Sequence, residues 1–391
     1  MTHSFDQIVE RRNTDSMKWD KLKQLFGSAE VLPMWVADMD FLSPPAVVKA
    51  ITERAKHGVY GYTIMSDSFY EAIIGWMERR HQWQVNKEWL CYCPGIVTAL
   101  SILVEVLTKP GESVMIQPPV YTPFFQVISR NGRSVKEVPL ILEEGQYRMD
   151  FELLEEAMKT SKVMILCSPH NPVGRVWSRD ELVKLGELSS KYQVIIISDE
   201  IHADLVFNGE KHLPFGMLSE EIAQQSITCI APSKTFNIAG LKTASIIIPN
   251  PKIRRLFENR IQTLSLHLES CFGVDAVKAA YNEGEVWVDE LMNYMQGNLQ
   301  YLAKFLQEHL PMVKLIQSQG TYLAWLDFRD LQMEADELQT FLTQKAKVGL
   351  SAGTIYGSQG AGFMRMNLGC PRSVVEEGLR RIHKAITELQ K

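Results

Sequence analysis

The most informative absences in this sequence concern membranes, metals and disulfides. No apolar run approaches the roughly 18 residues that a membrane span needs, and the first residues lack the basic-then-apolar pattern of a secretory signal. The six cysteines form no C-x-x-C pair, and most of them lie in apolar stretches typical of core strands. We therefore expect core thiols rather than a zinc site or a disulfide framework.

A large excess of charge of one sign is also lacking. Lys and Arg total 41 against 46 Asp and Glu, a formal net charge of -5. The surface thus offers no electrostatic reason to bind nucleic acid or an anionic membrane. Hydrophobic residues make up 46% of the 391 positions and charged residues 22%, the balance of an ordinary globular protein. The expectation is a soluble, cytoplasmic protein with no nucleic-acid or membrane partner.

Short apolar runs alternate with amphipathic stretches from about residue 89 to 248. Several runs are apolar at nearly every position, as in strands buried on both faces. Between them, residues 98–107 and 179–192 carry apolar side chains at helical spacing. This alternation predicts an α/β fold whose large, mostly parallel sheet has helices on both faces. The predicted strands are residues 89–93, 113–117, 163–167, 194–198, 226–231 and 243–248.

The pattern changes after residue 284. Apolar residues separated by three or four positions, or by sums of these steps, predict one long amphipathic helix. Two alternating apolar stretches follow at 322–328 and 363–368, and a final helix is predicted from Pro371. These elements indicate a smaller α+β domain.

We predict two domains from this change. The large doubly wound domain covers residues 48–283, and the smaller one combines residues 1–47 with 284–391. The first fifty residues contain Pro33, Pro44 and Pro45, so we expect them to be extended and to pack against the smaller domain.

Residues with functional side chains or backbones follow five of the predicted strands. In a doubly wound sheet, ligands bind in the crevice outside the carboxyl ends of the strands. Five such residues at five strand ends form a stronger signal than any one of them. They are Gly95, Tyr121, Asn171, Asp199 and Lys234.

Lys234 follows a buried strand and a proline turn, which would place its amine at the floor of a cleft. Desolvation there disfavours the ammonium form and makes the amine nucleophilic enough to form a Schiff base. The alternative is an ordinary lysine whose amine reaches solvent. Eight residues later, Lys242 offers a second cation beside Gly240, suited to an anion such as phosphate.

Asp199 ends the apolar strand at 194–198, and two interpretations remain open. It can cap a following helix, or its carboxylate can hold a proton on a heterocyclic nitrogen. At about 3 Å and an effective dielectric near 20, such a pair is worth up to roughly 5 kcal/mol. That equals about four pKa units, enough to keep a pyridine-type nitrogen protonated at neutral pH.

Three weaker signals accompany these two residues. Asn171 lies in an Asn-Pro turn directly after a buried strand. Gly95 precedes a helix whose first backbone N–H groups can bind a phosphate, although no complete G-x-G-x-x-G or Walker pattern is present. Arg365 lies in an apolar strand, where its guanidinium needs a carboxylate from either the protein or a substrate.

In this order along the chain, these features resemble the fold-type I pyridoxal-phosphate enzymes of the class I/II aminotransferase family. They are Asn-Pro-x-Gly, Asp-Glu after a strand, Ser-Lys with a cation eight residues beyond the lysine, and a late strand arginine. Four further segments look like the cystathionine β-lyase or cysteine-conjugate C–S lyase branch of that family. These segments are residues 35–41 (WVADMDF), 58–62 (GVYGY), 198–202 (SDEIH) and 367–372 (NLGCPR).

The resemblance implies pyridoxal 5′-phosphate as cofactor and roles for residues around its ring. Lys234 would form the Schiff base and move the proton at the substrate Cα. Asp199 would pair with the pyridinium nitrogen, and Asn171 would donate to the phenolic oxygen. Tyr121 would stack on the ring. His202 stands where many aminotransferases have a tyrosine that contacts the phenolic oxygen, which puts that contact in question.

The resemblance also implies residues that hold the cofactor phosphate. The backbone amides of Ile96 and Val97, the side chain of Ser233 and Lys242 would bind it. Many relatives have arginine at the position of Lys242, so a point charge here replaces a bidentate contact. Tyr62 would reach the phosphate of the neighbouring subunit, which implies a homodimer with shared active sites.

Arg365 would bind the α-carboxylate of an amino-acid substrate, together with Asn171 and the backbone of Ala37. The branch implies a lyase that cleaves cystathionine or related cysteine S-conjugates to thiol, pyruvate and ammonia. An aminotransferase needs the same residues up to removal of the Cα proton, so it remains an alternative. A third is a non-catalytic regulatory or binding protein on the same fold, although such a protein has no need for both Lys234 and Asp199.

Overall fold

The computed structural model describes residues 3–207 and 209–389. The strands are β1 (Leu32–Pro33), β2 (Leu90–Cys93), β3 (Ser113–Ile116), β4 (Ser134–Glu137), β5 (Ile141–Glu143), β6 (Gln146–Arg148), β7 (Val163–Cys167), β8 (Ile195–Asp199), β9 (Ser226–Ile230), β10 (Ala244–Ile247), β11 (Lys314–Leu315), β12 (Leu323–Asp327), β13 (Val348–Gly349), β14 (Ser351–Ala352) and β15 (Phe363–Asn367). The α-helices are α1 (Met17–Asp20), α2 (Leu22–Phe26), α3 (Pro45–His57), α4 (Asp67–His81), α5 (Ile96–Leu107), α6 (Pro123–Arg130), α7 (Phe151–Met158), α8 (Arg179–Tyr192), α9 (Glu220–Gln224), α10 (Pro232–Thr235), α11 (Pro251–Thr263), α12 (Cys271–Glu283), α13 (Glu285–His309), α14 (Ala335–Gln344) and α15 (Arg372–Leu389).

Seven strands form the central sheet, in the order β2-β10-β9-β8-β7-β3-β4. Strand β10 runs antiparallel to both of its neighbours, whereas the other adjacent pairs are parallel. The predicted α/β fold with a large, mostly parallel sheet is therefore confirmed. The strand order and the direction of β10 could not be predicted, because a buried strand is apolar whichever way it runs.

Strand β7 shows why the sequence contains unbroken apolar runs. Val163, Ile165 and Cys167 pack into one core cluster, and Met164 and Leu166 pack into another. Successive side chains of a strand point to opposite faces. Since helices cover both faces of this sheet, no position of β7 meets solvent, and all five residues are buried.

Helix α8 has the predicted bounds, and hydrogen bonds close both of its ends. Glu181 N donates to the Ser178 hydroxyl at 3.3 Å, and Ser178 N donates to the Glu181 carboxylate at 2.8 Å, which makes a capping box. At the other end Gln193 has a left-handed backbone with φ of 55°. Local sequence therefore determines this helix well.

A second, antiparallel sheet has the order β11-β12-β15-β14 and packs with α13, α14 and α15 around its own core cluster. The long helix, the two strands and the final helix predicted after residue 284 are all present as α13, β12, β15 and α15. Strand β1 pairs in parallel with β13, which joins the start of the chain to this layer. The boundaries between residues 47 and 48 and between 283 and 284 stay a prediction.

The expectation that the first fifty residues are extended is wrong in part. Helices α1 and α2 lie within them, and α3 begins at Pro45. A proline at the first position of a helix is well tolerated, because that N–H has no partner within the helix anyway. The prolines in this segment therefore mark a helix start as well as extended chain.

All six cysteines are buried free thiols, as expected of core residues. Four of them lie in the cluster beneath one face of the central sheet: Cys91, Cys93, Cys167 and Cys229. None of the helices described for residues 3–207 and 209–389 is both long and apolar enough to cross a membrane.

Candidate active site

A cavity of about 500 Å³ lies where the carboxyl ends of several central strands meet. Every site residue predicted from the sequence lines it, except Tyr62 and Arg365. The predicted residues in its wall are Ala37, Ile96, Val97, Tyr121, Asn171, Asp199, His202, Ser233, Lys234 and Lys242. Residues separated by more than 200 positions thus meet in one space.

Lys234 stands in the short helix α10, directly after β9, and is partly exposed to this cavity. Its Nζ donates to the carbonyl oxygen of Ala37 at 2.5 Å. Burial, followed by the positive charge of Arg365, lowers the pKa of Lys234 to about 8. About a tenth of this amine is therefore unprotonated at pH 7, far more than for an ordinary lysine, and a nucleophile requires the unprotonated form.

Asp199 is the last residue of β8 and is 3% exposed. Burial is the main cause that raises the pKa of its carboxyl group to about 7, and the negative charge of Glu200 adds to the rise. A hydrogen bond from Ile201 N, 3.2 Å from Oδ1, and the charge of Lys234 act in the opposite direction. Residues 201–204 form turns, so Asp199 does not cap a helix.

Arg365 is 5% exposed and is held by neutral oxygen atoms. Its guanidinium donates to Asn171 Oδ1 at 3.0 Å and to the carbonyl oxygen of Trp35 at 2.7 Å, and lies 5.1 Å from the centre of the Tyr356 ring. Its Nε is buried without a partner. Among the described residues no carboxylate forms an ion pair with Arg365, so the alternative of an internal ion pair is not what the structure contains.

Three side chains complete the part of the wall between these charged groups. Because Arg365 occupies Oδ1 of Asn171, the amide nitrogen is the group that Asn171 can offer to a ligand. Burial, more than the nearby Asp199, raises the pKa of Tyr121 to about 12. Burial and the charges of Lys234 and Arg365 push the pKa of His202 well below its usual value, so this imidazole is neutral.

A different part of the wall is built to attract an anion. Ile96 and Val97 are the first residues of α5, so their backbone N–H groups have no partner within the helix. Ser233, in the first turn of α10, and Lys242 face the same cavity. Hydroxyl, amide and ammonium donors therefore converge on it.

Tyr62 is not brought to the cavity of its own chain. Its side chain is 95% exposed, in a segment of irregular backbone between α3 and α4. This placement neither supports nor opposes the role implied by the resemblance, because that role concerns a neighbouring subunit.

Sequence reasoning missed part of the wall. Thr98, Cys167 and Thr243 line the cavity, and the hydroxyl of Tyr322 donates to the carbonyl oxygen of Ala37 at 2.8 Å. Thr98 and Thr243 each follow a predicted site residue, which could have identified them. Tyr322 gave no signal, because it stands at the start of an apolar strand far along the chain.

Comparison with known proteins now adds to this geometry. A sequence model of the family described as aminotransferase class I and II matches residues 29–382. This chain belongs to that family. The family assignment predicted from the motifs is therefore confirmed, and the relatives confirm the C–S lyase branch as well.

Three similar proteins illustrate this. Cystathionine beta-lyase PatB of Bacillus subtilis (strain 168) is 47% identical over 386 residues, which cover 98% of this chain and 100% of that protein. Cystalysin from Treponema denticola, whose structure contains a pyridoxal 5′-phosphate cofactor, is 37% identical with a TM-score of 0.97 and 100% of both chains covered. The PLP-bound C-S lyase from Staphylococcus hominis is 34% identical with a TM-score of 0.92 and 98% of both chains covered.

Proposed function

We propose that this protein is a pyridoxal-5′-phosphate-dependent lyase that cleaves the Cβ–S bond of cystathionine or related cysteine S-conjugates. The products are a thiol, pyruvate and ammonia. The observation that carries the proposal is that a buried carboxyl group, Asp199, and an amine of lowered pKa, Lys234, line one cavity that also contains a set of anion donors. The full-length similarity to a cystathionine β-lyase supports the reaction.

The residues present fit the proposed cofactor. The donors at the starts of α5 and α10, with Lys242, suit its phosphate. Asp199 suits the ring nitrogen, because a pyridinium would give this buried carboxylate an ion-pair partner, which it does not have among the described residues. The amide of Asn171 suits the phenolic oxygen, and Tyr121 suits the ring face. When bound, the cofactor supplies an electron sink that stabilises negative charge at the substrate Cα.

The side chains of the protein bind the substrate and move its protons. Arg365 binds the α-carboxylate, since its guanidinium is buried, has no carboxylate partner in the described chain and retains an unpaired Nε–H. Lys234 accepts the Cα proton. The electron pair of that C–H bond then forms the Cα–Cβ double bond, and the Cβ–S electrons leave with the thiolate. Hydrolysis of the unsaturated three-carbon remnant gives pyruvate and ammonia.

The test of this function is pyruvate release without a keto acid. We expect purified protein loaded with pyridoxal 5′-phosphate to release pyruvate and thiol in equal amounts from cystathionine. Alanine, which has no leaving group on Cβ, is the matched control and should give no product in this assay. Product that appears only when a keto acid is added would identify an aminotransferase. A protein that gains no visible absorbance with the cofactor would instead be a binding module.

We also propose a cytoplasmic homodimer in which each active site is completed by Tyr62 of the neighbouring subunit. Exposed apolar side chains cluster around Tyr62, with Val59 exposed by 66%, Tyr60 by 56% and Ile64 by 80%. Such a group of exposed apolar residues is typical of a contact surface. Free thiols at all six cysteines fit a reducing compartment.

Mixing two inactive or weakened variants tests the shared site. Tyr62→Ala should weaken cofactor binding by about 10–100-fold, because it removes a hydrogen bond to a charged group, and Lys234→Ala should be inactive. Dissociated and reassociated together, they form hybrid dimers in which one of the two sites has both residues intact. The mixture should therefore exceed the summed activity of its components. No gain, or a monomer in light scattering, would contradict the proposal.

A further inference from the structure

A second carboxylate, Glu200, follows Asp199 in the chain but does not line the cavity. Its side chain has no solvent exposure, and three donors surround it. The Ser198 hydroxyl and Phe215 N donate to Oε1 at 2.8 and 2.9 Å, and His212 Nε2 lies 2.8 Å from Oε2. Burying a carboxylate is costly unless hydrogen bonds or an ion pair replace its lost hydration, and these three donors do so.

The three donors satisfy both carboxylate oxygen atoms of Glu200. An ionised carboxylate only accepts hydrogen bonds, so three donors on its two oxygen atoms stabilise the anion without water. His212 contributes whichever charge it carries, provided that its proton is on Nε2. His212 is itself 3% exposed and contacts the ring of His81 edge-to-face at 5.7 Å.

Several charged and titratable groups lie close enough to Asp199 to interact with its carboxyl group. Lys234 approaches from α10 and favours the carboxylate form, whereas Glu200 opposes it. The thiols of Cys167 on β7 and Cys229 on β9, and the phenol of Tyr121, stay protonated because burial and the charge of Asp199 raise the pKa of each. Glu200 is therefore the negative charge among these groups that acts on Asp199.

We propose that Glu200 is a positioning residue whose charge, held by His212 and Ser198, increases the proton affinity of the Asp199 site. A negative charge close to Asp199 raises the proton affinity of its carboxyl group and of any basic nitrogen bound against that group. This inference rests on the proposed function, in which that nitrogen belongs to the cofactor ring. The charge of Glu200 then keeps the ring nitrogen protonated to higher pH.

The test measures the protonation of Asp199 directly, in the full-length protein without cofactor. NMR of protein labelled at the aspartate carboxyl carbon gives its titration midpoint, with the signal assigned by its loss in Asp199→Asn. We expect Glu200→Gln, which is nearly isosteric, to lower the midpoint by about one pH unit. Glu200→Asp keeps the charge and should leave the midpoint close to that of the wild type.

Asp204→Asn is the matched control. Asp204 is a carboxylate with 8% side-chain exposure that also pairs with a histidine, His81, at 2.8 Å, but it contacts Thr235 rather than the strand that ends at Asp199. The midpoint of Asp199 should not change in this variant. If Glu200→Gln does not fold, Glu200→Met combined with His212→Leu removes both partners together, which is often tolerated, and should lower the midpoint equally.

An unchanged midpoint in Glu200→Gln, or an equal shift in Asp204→Asn, would overturn the inference. Neither result involves cofactor or turnover, so the proposed function would be unaffected by it. Conversely, a protein that shifts as expected but releases no pyruvate would retain the inference about Glu200 and lose the proposed function. In the holoenzyme, Glu200→Gln should also shift the pH dependence of the visible cofactor absorbance to lower pH.

Discussion

Replacing Lys234 with alanine should lower the rate of pyruvate release by at least ~1,000-fold. The amine that accepts the Cα proton is lost, and its lowered pKa of about 8 leaves about a tenth of it in the basic form at pH 7 in the wild type. The donors proposed for the cofactor phosphate, at the starts of α5 and α10 and at Lys242, remain in this variant, so it should still bind the cofactor. Steady-state rates with cystathionine and equilibrium dialysis of the cofactor measure the two effects separately.

Lys242→Ala is the control for this prediction, since Lys242 lines the same cavity among the donors proposed for the cofactor phosphate. It should weaken cofactor binding by roughly 10-fold or more, because a charged hydrogen-bond donor is lost, while turnover at saturating cofactor stays within a few-fold of the wild type. Loss of Lys234 would then mainly lower turnover, whereas loss of Lys242 would mainly weaken cofactor binding. Rates near the wild type in Lys234→Ala would remove that residue from its assigned role.

Asp199→Asn should have the second large effect, a loss of about 100- to 1,000-fold in turnover. Asparagine has nearly the same shape but carries no charge, so it cannot hold a proton on the ring nitrogen by charge attraction. The carboxylate–pyridinium pair is worth at most roughly 5 kcal/mol at an effective dielectric near 20, and part of that is offset by the cost of burying the carboxylate. Steady-state kinetics at saturating cofactor give the loss, and Asp204→Asn is again the matched control.

The same substitution should stabilise the protein when cofactor is absent, and only at higher pH. Burial raises the pKa of Asp199 to about 7 in the folded state, whereas the unfolded chain has its usual value near 3.9. Between about pH 4 and 7 the folded state thus binds a proton that the unfolded state has lost. The contribution of Asp199 to the free energy of unfolding therefore falls as the pH rises, and the full loss, on the order of 4 kcal/mol, is reached above about pH 7.

Denaturant unfolding of both proteins without cofactor, at a series of pH values, checks this sign. The two should differ little near pH 4, and Asp199→Asn should become the more stable protein as the pH approaches 8. Because the charge of Asp199 raises the pKa of Lys234, the difference between the two proteins also includes the interaction of these two groups. A wild type that stays the more stable of the two at pH 8 would show that Asp199 carries no buried charge in the free protein.

Predictions from the sequence succeeded where local pattern determines structure. The apolar run 163–167 and the helix 179–192 have the predicted bounds. Two-sided burial and a capping box both depend on residues that are close together in the sequence. They failed where a residue type has two uses: Pro45 begins a helix instead of extending the chain. The cavity-lining positions at or just after the ends of β7, β8 and β9 followed from the rule that ligands bind at the carboxyl ends of strands.

The amino-acid sequence by itself determined the fold class, the family and most of the residues that line the cavity, because each of these depends on short patterns in a definite order. Only the tertiary structure decided the surroundings of those residues. It gave Arg365 neutral partners instead of a carboxylate, ruled out Asp199 as a helix cap and buried the side chain of the next residue, Glu200, outside the cavity wall. Burial and contacts between distant segments set proton affinities, and both arise from long-range packing that no local pattern records.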